Sequence, residues 1–318
     1  MPKIKTLTTN QTVTGFYLLG SVTEKTARTG KTYLDMTLSD DSGNISAKLW
    51  DFNKDKHKFS AGDIIKIQGK VSEYQGQKQL TVERIRKAEE ADNVDVSQFY
   101  KVSERDFDEM MAELKGVIDS VKNPFLNKLL TMIFSGEKLK KFSNVPAGKA
   151  WHHAYIHGLL EHTLEIVKLC ELTASFHKEV NRDLLVSGAL LHDFGKTEEL
   201  SDSADFGYTD KGKLLGHIVI AAMEVEKTIE KIPEFPEDLK NQLEHLILSH
   251  QGKLEFASPV VPKTLEAIIL YHSDELSAKA NAYNNVIKSQ AGGSSSWTNF
   301  IRLAETDLYI PNNKKEEQ

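Results

Sequence analysis

The stretch Leu190-Leu191-His192-Asp193-Phe194-Gly195-Lys196 sets an imidazole beside a carboxylate at the end of an apolar run. Adjacent residues of a regular helix point about 100° apart, so two neighbouring ligands face one ion only where the helix ends. The run from Leu184 to Leu191 predicts a buried helix, and Gly195 predicts its C-terminal stop. The stretch therefore predicts a metal site at the rim of a helical core.

Further imidazoles and carboxylates stand at wide intervals on both sides of this pair. Of the 11 histidines, ten lie between His152 and His272. Mixed sets of imidazole and carboxylate suit divalent metals such as manganese, iron, cobalt or zinc. The additional candidate ligands, each on or beside a helix-period apolar pattern, are His162, His217, His250 and Asp274.

The order of these residues resembles that of the HD-domain metal-dependent phosphohydrolases, over about residues 151–282. The resemblance implies one metal held by His162, His192, Asp193 and Asp274. It also implies that Asp193 bridges to a second metal, held by His217 and His250. Two metals can generate hydroxide from bound water and stabilise the leaving oxygen of a phosphodiester, which indicates phosphodiester hydrolysis.

Two sequence differences from known HD subgroups indicate which subgroups the chain resembles less. The chain has His250-Gln251 where HD enzymes with a fuller histidine set carry His-His, which argues against a third metal. The segment Gly-Tyr-Pro that marks the cyclic-dinucleotide phosphodiesterases is absent after His250. That branch therefore ranks lower.

Other residues near the ligands are candidates for catalytic contacts, beside Asp193 itself. Lys196 could contact the scissile phosphate as a mobile point charge. His153 or His157 could orient the substrate or protonate the departing ribose oxygen. Lys279, one turn beyond Asp274, could support that carboxylate or the substrate.

Length and charge indicate a chain of two dissimilar modules. The 318 residues exceed the typical domain size, which is about 100 to 150 residues. Residues 1–88 carry 15 Lys and Arg against 9 Asp and Glu, and residues 89–318 carry 25 against 37. A basic module joined to an acidic enzyme indicates capture of a polyanion, although solvated helix faces could also account for the acidic charge.

Targeting signals are not evident. The first residues lack the apolar stretch of a signal peptide, and no segment approaches the roughly 18 apolar residues of a membrane helix. We therefore expect a cytoplasmic protein with no membrane partner. The single cysteine, Cys170, lies in an apolar pattern that predicts a buried hydrophobe rather than a catalytic thiol.

The basic half has the pattern of short strands separated by glycine turns. Alternating segments at 13–19, 32–38, 44–50, 64–71 and 79–82 predict a small closed barrel. The pattern resembles a nucleic-acid-binding OB-fold, most recognisably in Gly62-Asp63 and the later Gly69-Lys70-Val71.

OB-folds bind single strands by placing cations along the phosphates and aromatic rings against the bases. Phe16 is expected to face the barrel interior instead. The candidate cations are Lys25, Arg28, Lys31, Lys48, Lys66 and Lys70, and the candidate stacking residues are Tyr33, Trp50 and Tyr74.

The chain is predicted to be a multidomain protein, with an N-terminal all-β OB-fold barrel and a C-terminal all-α HD domain. The barrel is assigned to residues 1–88, an acidic linker to 89–102 and a helical connector to 103–150. The HD domain is assigned to 151–285, and a loose C-terminal tail to 286–318.

The combination of a basic OB-like module and an HD-like hydrolase resembles the YhaM family of 3′-5′ exoribonucleases. The segments Trp151-His152-His153-Ala154-Tyr155 and Gly158-Leu159-Leu160-Glu161-His162-Thr163 add to this resemblance. It implies trimming of single-stranded RNA, sometimes single-stranded DNA, from the 3′ end to nucleoside monophosphates, with manganese as the first metal to test. The alternative is an HD phosphohydrolase of free nucleotides or cyclic dinucleotides, with the barrel as an interaction module. The sequence is compatible with a homo-oligomer and does not decide the oligomeric state.

Overall fold

The computed structural model describes residues 2–27, 30–50, 52, 57–60, 62–74, 76–148, 152–201, 206–290, 295–301 and 304–311. The chain divides into two compact units. One contains residues 1–104 with 155–157 and 197–216, and the other contains 105–154, 158–196 and 217–318. The first holds a five-strand barrel and the second a helical domain, so the predicted fold class is confirmed.

Five strands close into a barrel in the order β1-β2-β3-β5-β4. Only β3 and β5 pair in parallel, and antiparallel pairing of β1 with β4 closes the barrel. A Cβ on Gly69 would lie 2.4 Å from the carbonyl oxygen of Thr81, so this glycine permits close approach at a bulge between β4 and β5. The strands are β1 (Thr12–Thr26), β2 (Thr32–Asp40), β3 (Gly43–Leu49), β4 (Ile64–Tyr74) and β5 (Gln77–Lys87).

Strand alternation decides which side chains form the barrel core. In β1 the inward positions include Val13, Tyr17 and Leu19, each at most 1% exposed. Since side chains alternate between the two faces, Phe16 points outward, and the prediction that it is interior is wrong. Its ring lies 5.0 Å from the amino group of Lys66.

The segment assigned as a linker is folded against the barrel. It contains two 3-10 helices, Glu90–Asp92 and Val96–Phe99. Phe99 is buried, and the backbone nitrogen of Asp41 donates to the carbonyl oxygen of Gln98. Residues 89–102 therefore extend the barrel unit rather than forming a loose connection.

The helical unit begins with three helices that belong to its core. Asp106 caps α1 by accepting from the backbone nitrogen of Glu109, and Asn123 caps α2. α1 and α3 pack against α4, and α2 packs against α5, so residues 103–150 are more than a connector. The helices are α1 (Phe107–Ser120), α2 (Pro124–Ile133), α3 (Gly136–Asn144), α4 (Gly158–Ala174), α5 (Arg182–Leu191), α6 (Lys196–Glu199), α7 (Asp210–Ile229), α8 (Glu237–Ser249) and α9 (Leu265–Gln290).

The described part of the C-terminal segment, assigned from the sequence as a loose tail, contains local backbone pairing. Antiparallel bridges join Trp297 to Tyr309 and Ile301 to Thr306. Thr298 and Ile310 are buried, so local pairing and burial together offset the cost of ordering this segment. Residues 312–318 lie outside the described residues. None of the described helices is long and apolar enough to cross a membrane.

Cys170 offers a test of the helical core. It lies fully buried on α4, and burial raises the pKa of its thiol to about 12. At pH 8 only roughly one thiol in 10,000 would be the reactive thiolate. We expect no alkylation by iodoacetamide in the native protein and complete alkylation in urea, measured by intact-protein mass. Rapid modification of the native protein would contradict this packing.

Candidate metal centre

The six predicted metal ligands converge within the helical unit. They come from five helices or from the residues directly after them, which explains their wide spacing in the sequence. His162, His192, Asp193 and His250 are at most 2% exposed. The predicted ligands are His162 on α4, His192 and Asp193 directly after α5, His217 in α7, His250 directly after α8, and Asp274 in α9.

Asp193 lies between two pairs of imidazoles. Its Oδ2 is 3.7 Å from His162 Nε2 and 3.4 Å from His192 Nε2. Its Oδ1 is 3.3 Å from His217 Nε2 and 3.7 Å from His250 Nε2. Each carboxylate oxygen therefore faces one pair, which is the arrangement required of a carboxylate that bridges two cations.

Helix ends orient two of these imidazoles. His192 follows the last residue of α5, and its Nδ1 lies 2.8 Å from the carbonyl oxygen of Ala189. His250 follows α8 in the same way, with Nδ1 2.7 Å from the carbonyl oxygen of Ile247. Because a carbonyl oxygen only accepts, each Nδ1 carries the proton and each Nε2 keeps a lone pair for a metal.

Two glycines, Gly195 and Gly216, shape the backbone around His217. A Cβ on Gly195 would lie 1.9 Å from the carbonyl oxygen of His217, so only glycine permits this contact between the turn after α5 and helix α7. Gly195 was predicted to end α5, but α5 already ends at Leu191. The glycine instead permits this close backbone contact. Gly216, with φ of 72°, interrupts α7 directly before His217.

Orphaned polar atoms show that the residues present fit divalent metals. His162 Nε2, His192 Nε2 and Asp193 Oδ1 are buried and make no well-formed hydrogen bond within the described part of the chain. Such atoms cost about 1–3 kcal/mol each when nothing satisfies them. The ligand atoms of His162, His192 and Asp193 lie within 4.8 Å of one another, as do those of Asp193, His217 and His250.

Electrostatics hold His162, His250 and Asp193 in metal-binding protonation states. Burial lowers the pKa of His250 to about 4 and that of His162 well below its ordinary value, so both are neutral near pH 7. Burial alone would raise the pKa of Asp193, but Lys196 and His192 outweigh it and hold the carboxyl well below its usual range. Burial would lower the pKa of His192, but Asp193 outweighs it and raises that pKa.

The three residues that the sequence suggested for catalytic contacts, Lys196, His153 and His157, have different surroundings. Lys196 is 8% exposed, and its Nζ lies 2.5 Å from Asp193 Oδ2. His153 is fully buried, with Nε2 3.2 Å from Glu165 Oε2. His157 is half-buried in the segment before α4 and has φ of 66°.

Lys279 does not support Asp274. Its Nζ lies 2.7 Å from Glu275 Oε1, because residues four apart share one face of a helix whereas residues five apart do not. Asp274 instead has Oδ1 3.1 Å from His162 Nε2.

Sequence reasoning missed two residues beside His162. Ser277 Oγ lies 3.1 Å from His162 Nδ1, and Glu165 Oε2 lies 2.8 Å from Ser277 Oγ. A serine inside a helix has no distinctive sequence signal. Its spacing of three residues from Asp274, on the same helix face, is the one clue the sequence offers.

The barrel carries an aromatic cluster, which we define as Tyr33, Trp50 and Tyr74 around Lys48. The rings of Tyr33 and Trp50 stack with centroids 4.5 Å apart. The amino group of Lys48 lies 5.5, 6.0 and 5.4 Å from the ring centroids of Tyr33, Trp50 and Tyr74. The structure thus brings together three predicted stacking residues and one predicted cation, on or beside strands β2 to β4.

The other predicted cations have different surroundings. Lys25 is the register partner of Tyr33 across strands β1 and β2, at the edge of the aromatic cluster. Lys25 pairs with Asp35, which takes up part of its charge. Lys66 contacts Phe16 and lies 3.8 Å from Asp92. Lys31 and Lys70 are exposed on the barrel, and Arg28 lies outside the described residues.

Comparison with known proteins agrees with both folds. Residues 17–88 match the OB-fold nucleic acid binding domain family, and residues 159–279 match the HD domain family. The chain is 36% identical to the 3′-5′ exoribonuclease YhaM of Geobacillus sp. (strain WCH70), over 87% of this chain and 86% of that protein. It is 35% identical to the protein of the same name from Bacillus subtilis (strain 168), over 86% of this chain and 87% of that protein. The relative from Listeria innocua serovar 6a is 36% identical over 89% of this chain and 90% of that protein. Because identity of at least 35% extends over at least 86% of both chains in each comparison, the chain belongs to the YhaM family of 3′-5′ exoribonucleases.

Proposed function

We propose that this protein is a metal-dependent 3′-5′ exoribonuclease that hydrolyses single-stranded RNA to nucleoside 5′-monophosphates. The observation that carries the proposal is the position of Asp193, whose two oxygens each face a separate pair of imidazoles. The names of its relatives supply the direction and the nucleic acid. We assign two divalent cations to each chain, with Mn²⁺ as the first to test, and the cytoplasm as the location. Single-stranded DNA is a second substrate to test.

The metal ligands would be divided by the two oxygens of Asp193. His162, His192 and Asp274 would complete one site, and His217 and His250 the other. Two bound cations would supply hydroxide near neutral pH and offset the charge of the phosphate. The protein contributes an ionised bridging carboxylate and imidazoles whose Nε2 lone pairs face inward.

Lys196 and His153 have separate roles in this proposal. The amino group of Lys196 neutralises Asp193 and is close enough to the centre to meet a substrate phosphate. His153 is fully buried against Glu165, which suits a role in positioning rather than proton transfer to the leaving ribose.

The barrel would capture the strand. Unpaired bases stack on exposed rings, and Trp50 and Tyr74 are 38% and 60% exposed. Lys48 adds a cation in the middle of these rings. Single strands present the base faces that such a surface requires, whereas paired bases are already stacked within a duplex.

A labelled RNA distinguishes this function from its alternatives. With Mn²⁺, we expect a 5′-labelled single strand to shorten stepwise from its 3′ end and to release nucleoside 5′-monophosphates, resolved on a sequencing gel and by chromatography. A circular RNA of the same sequence should be resistant, because it has no 3′ end. Cleavage of the circle would contradict the end-directed reaction. Faster turnover of free nucleotides or cyclic dinucleotides would favour the alternative function.

A further inference from the structure

His162 poses an orientation problem that His192 and His250 do not share. Those two histidines follow the ends of their helices, where backbone carbonyls lack helical partners and can accept from Nδ1. His162 lies inside α4, where the carbonyls of the preceding turn accept the hydrogen bonds of the helix itself. Its ring therefore needs an acceptor from outside its own backbone.

A serine from α9 supplies that acceptor. Ser277 is 4% exposed, and its Oγ lies 3.1 Å from His162 Nδ1 and 2.8 Å from Glu165 Oε2. A hydroxyl has one proton, and an ionised carboxylate can only accept. The proton of Ser277 therefore points to Glu165, and the hydroxyl oxygen accepts from the Nδ1–H of His162.

The charge on Glu165 keeps this direction fixed. Burial alone would raise the pKa of Glu165, but the nearby imidazole of His153 and the hydrogen bond from Ser277 outweigh it and lower that pKa. His153 lies 3.2 Å from the same carboxylate oxygen and is fully buried. The backbone nitrogen of His153 donates to Asn281 on α9, so the loop that carries His153 is tied to the helix that carries Ser277.

We propose that Ser277 and Glu165 are positioning residues that hold His162 in the tautomer that binds metal. The Nδ1–H is fixed on Ser277, so the Nε2 lone pair is directed towards Asp193 and Asp274. This inference rests on the proposed metal centre. It assigns a role to two residues outside the six predicted ligands, and it concerns one of the two cations only.

Calorimetric titration with Mn²⁺ tests the assignment. Removal of a hydrogen-bond partner behind a ligating histidine costs about 10- to 100-fold in metal affinity. Ser277→Ala should weaken one of the two Mn²⁺ equivalents by that factor and leave the other unchanged. Ser277→Thr, which keeps the hydroxyl, should retain the original affinity. Ser187→Ala is the matched control, because Ser187 is a fully buried helical serine that bonds only the carbonyl oxygen of Asp183 among the described residues.

A second variant, at Glu165, tests the same inference if Ser277→Ala fails to fold. Glu165 has a side chain that is 39% exposed, so Glu165→Gln should fold normally and weaken the same equivalent by about tenfold, the lower end of that range. In each variant, the Mn²⁺ concentration for half-maximal hydrolysis should rise by the factor by which its Mn²⁺ affinity falls. The kcat at saturating Mn²⁺ should stay unchanged. A purely structural role would instead lower the melting temperature of the metal-free protein.

The outcomes separate this inference from the proposed function. If the unaltered protein binds two Mn²⁺ ions and both variants bind them equally well, the positioning role is overturned while the metal centre stands. Loss of affinity in Ser277→Thr as well would also overturn it, because the hydroxyl would then be irrelevant. If the unaltered protein binds no Mn²⁺, the proposed metal centre itself fails.

Discussion

Replacement of Asp193 by alanine is expected to abolish RNA hydrolysis, with kcat falling by at least about 1,000-fold. The carboxylate faces both imidazole pairs, so its loss removes a ligand from each cation at once. It also leaves the amino group of Lys196 buried without its partner. Mn²⁺ binding should fall from two equivalents to none detectable at micromolar concentration.

The measurements are Mn²⁺ stoichiometry, turnover of labelled RNA, and RNA affinity. Affinity for a long single strand should change little, since the barrel is untouched. Glu266→Gln provides a control, because Glu266 is a buried carboxylate on α9 that accepts from the backbone nitrogen of Asn181. An Asp193→Ala protein that keeps two Mn²⁺ ions and normal turnover would refute the bridging assignment.

Replacement of Trp50 by alanine should reduce affinity for single-stranded RNA by about 5- to 150-fold. This range corresponds to the roughly 1–3 kcal/mol that one stacked base contributes. Trp50 also stacks on Tyr33 and contacts Lys48, so its loss would leave the other rings less well ordered. Binding is best measured by fluorescence anisotropy in the inactive Asp193→Ala background. Trp297→Ala is the matched control, because Trp297 is exposed but belongs to the C-terminal segment.

Salt separates stacking from charge in the same experiment. Log affinity should fall linearly with log salt concentration, with a slope of about −0.7 for each phosphate contact. The slope should be identical in Trp50→Ala, because tryptophan carries no charge. Equal affinity for duplex and single strand, or a flat salt response, would reject the barrel as the strand-binding module.

The sequence was sufficient for both folds because their patterns are local. Strand alternation and glycine turns predicted the five strands, and the apolar run from Leu184 to Leu191 predicted helix α5. The orientation of Phe16 was missed, since both Phe16 and Tyr17 are aromatic and only the pairing register decides which one points inward. The order in the C-terminal segment depends on pairing between residues 296 and 310, which composition does not reveal.

In the candidate site, too, local sequence patterns were predictable and contacts between distant helices were not. The convergence of the six candidate ligands was predictable because imidazoles and carboxylates are uncommon in apolar helices. Ser277 and Glu165 were missed because their role depends on the contact of α9 with α4, across 112 residues of sequence. A contact of Lys279 with Asp274 was expected for the opposite reason: proximity along the chain suggested a contact that the helical repeat does not allow.

The two helices that end at His192 and His250 have an electrostatic consequence. The backbone dipoles of a helix sum to about half a negative charge at its C-terminus. The ring centroids of His192 and His250 are 5.0 Å apart, so two negative poles meet at the centre, beside the carboxylates of Asp193 and Asp274. This field attracts cations and repels the phosphates of RNA. We therefore expect the cations of the proposed centre to bind first, and the 3′ end of the RNA to bind only after they have neutralised this field.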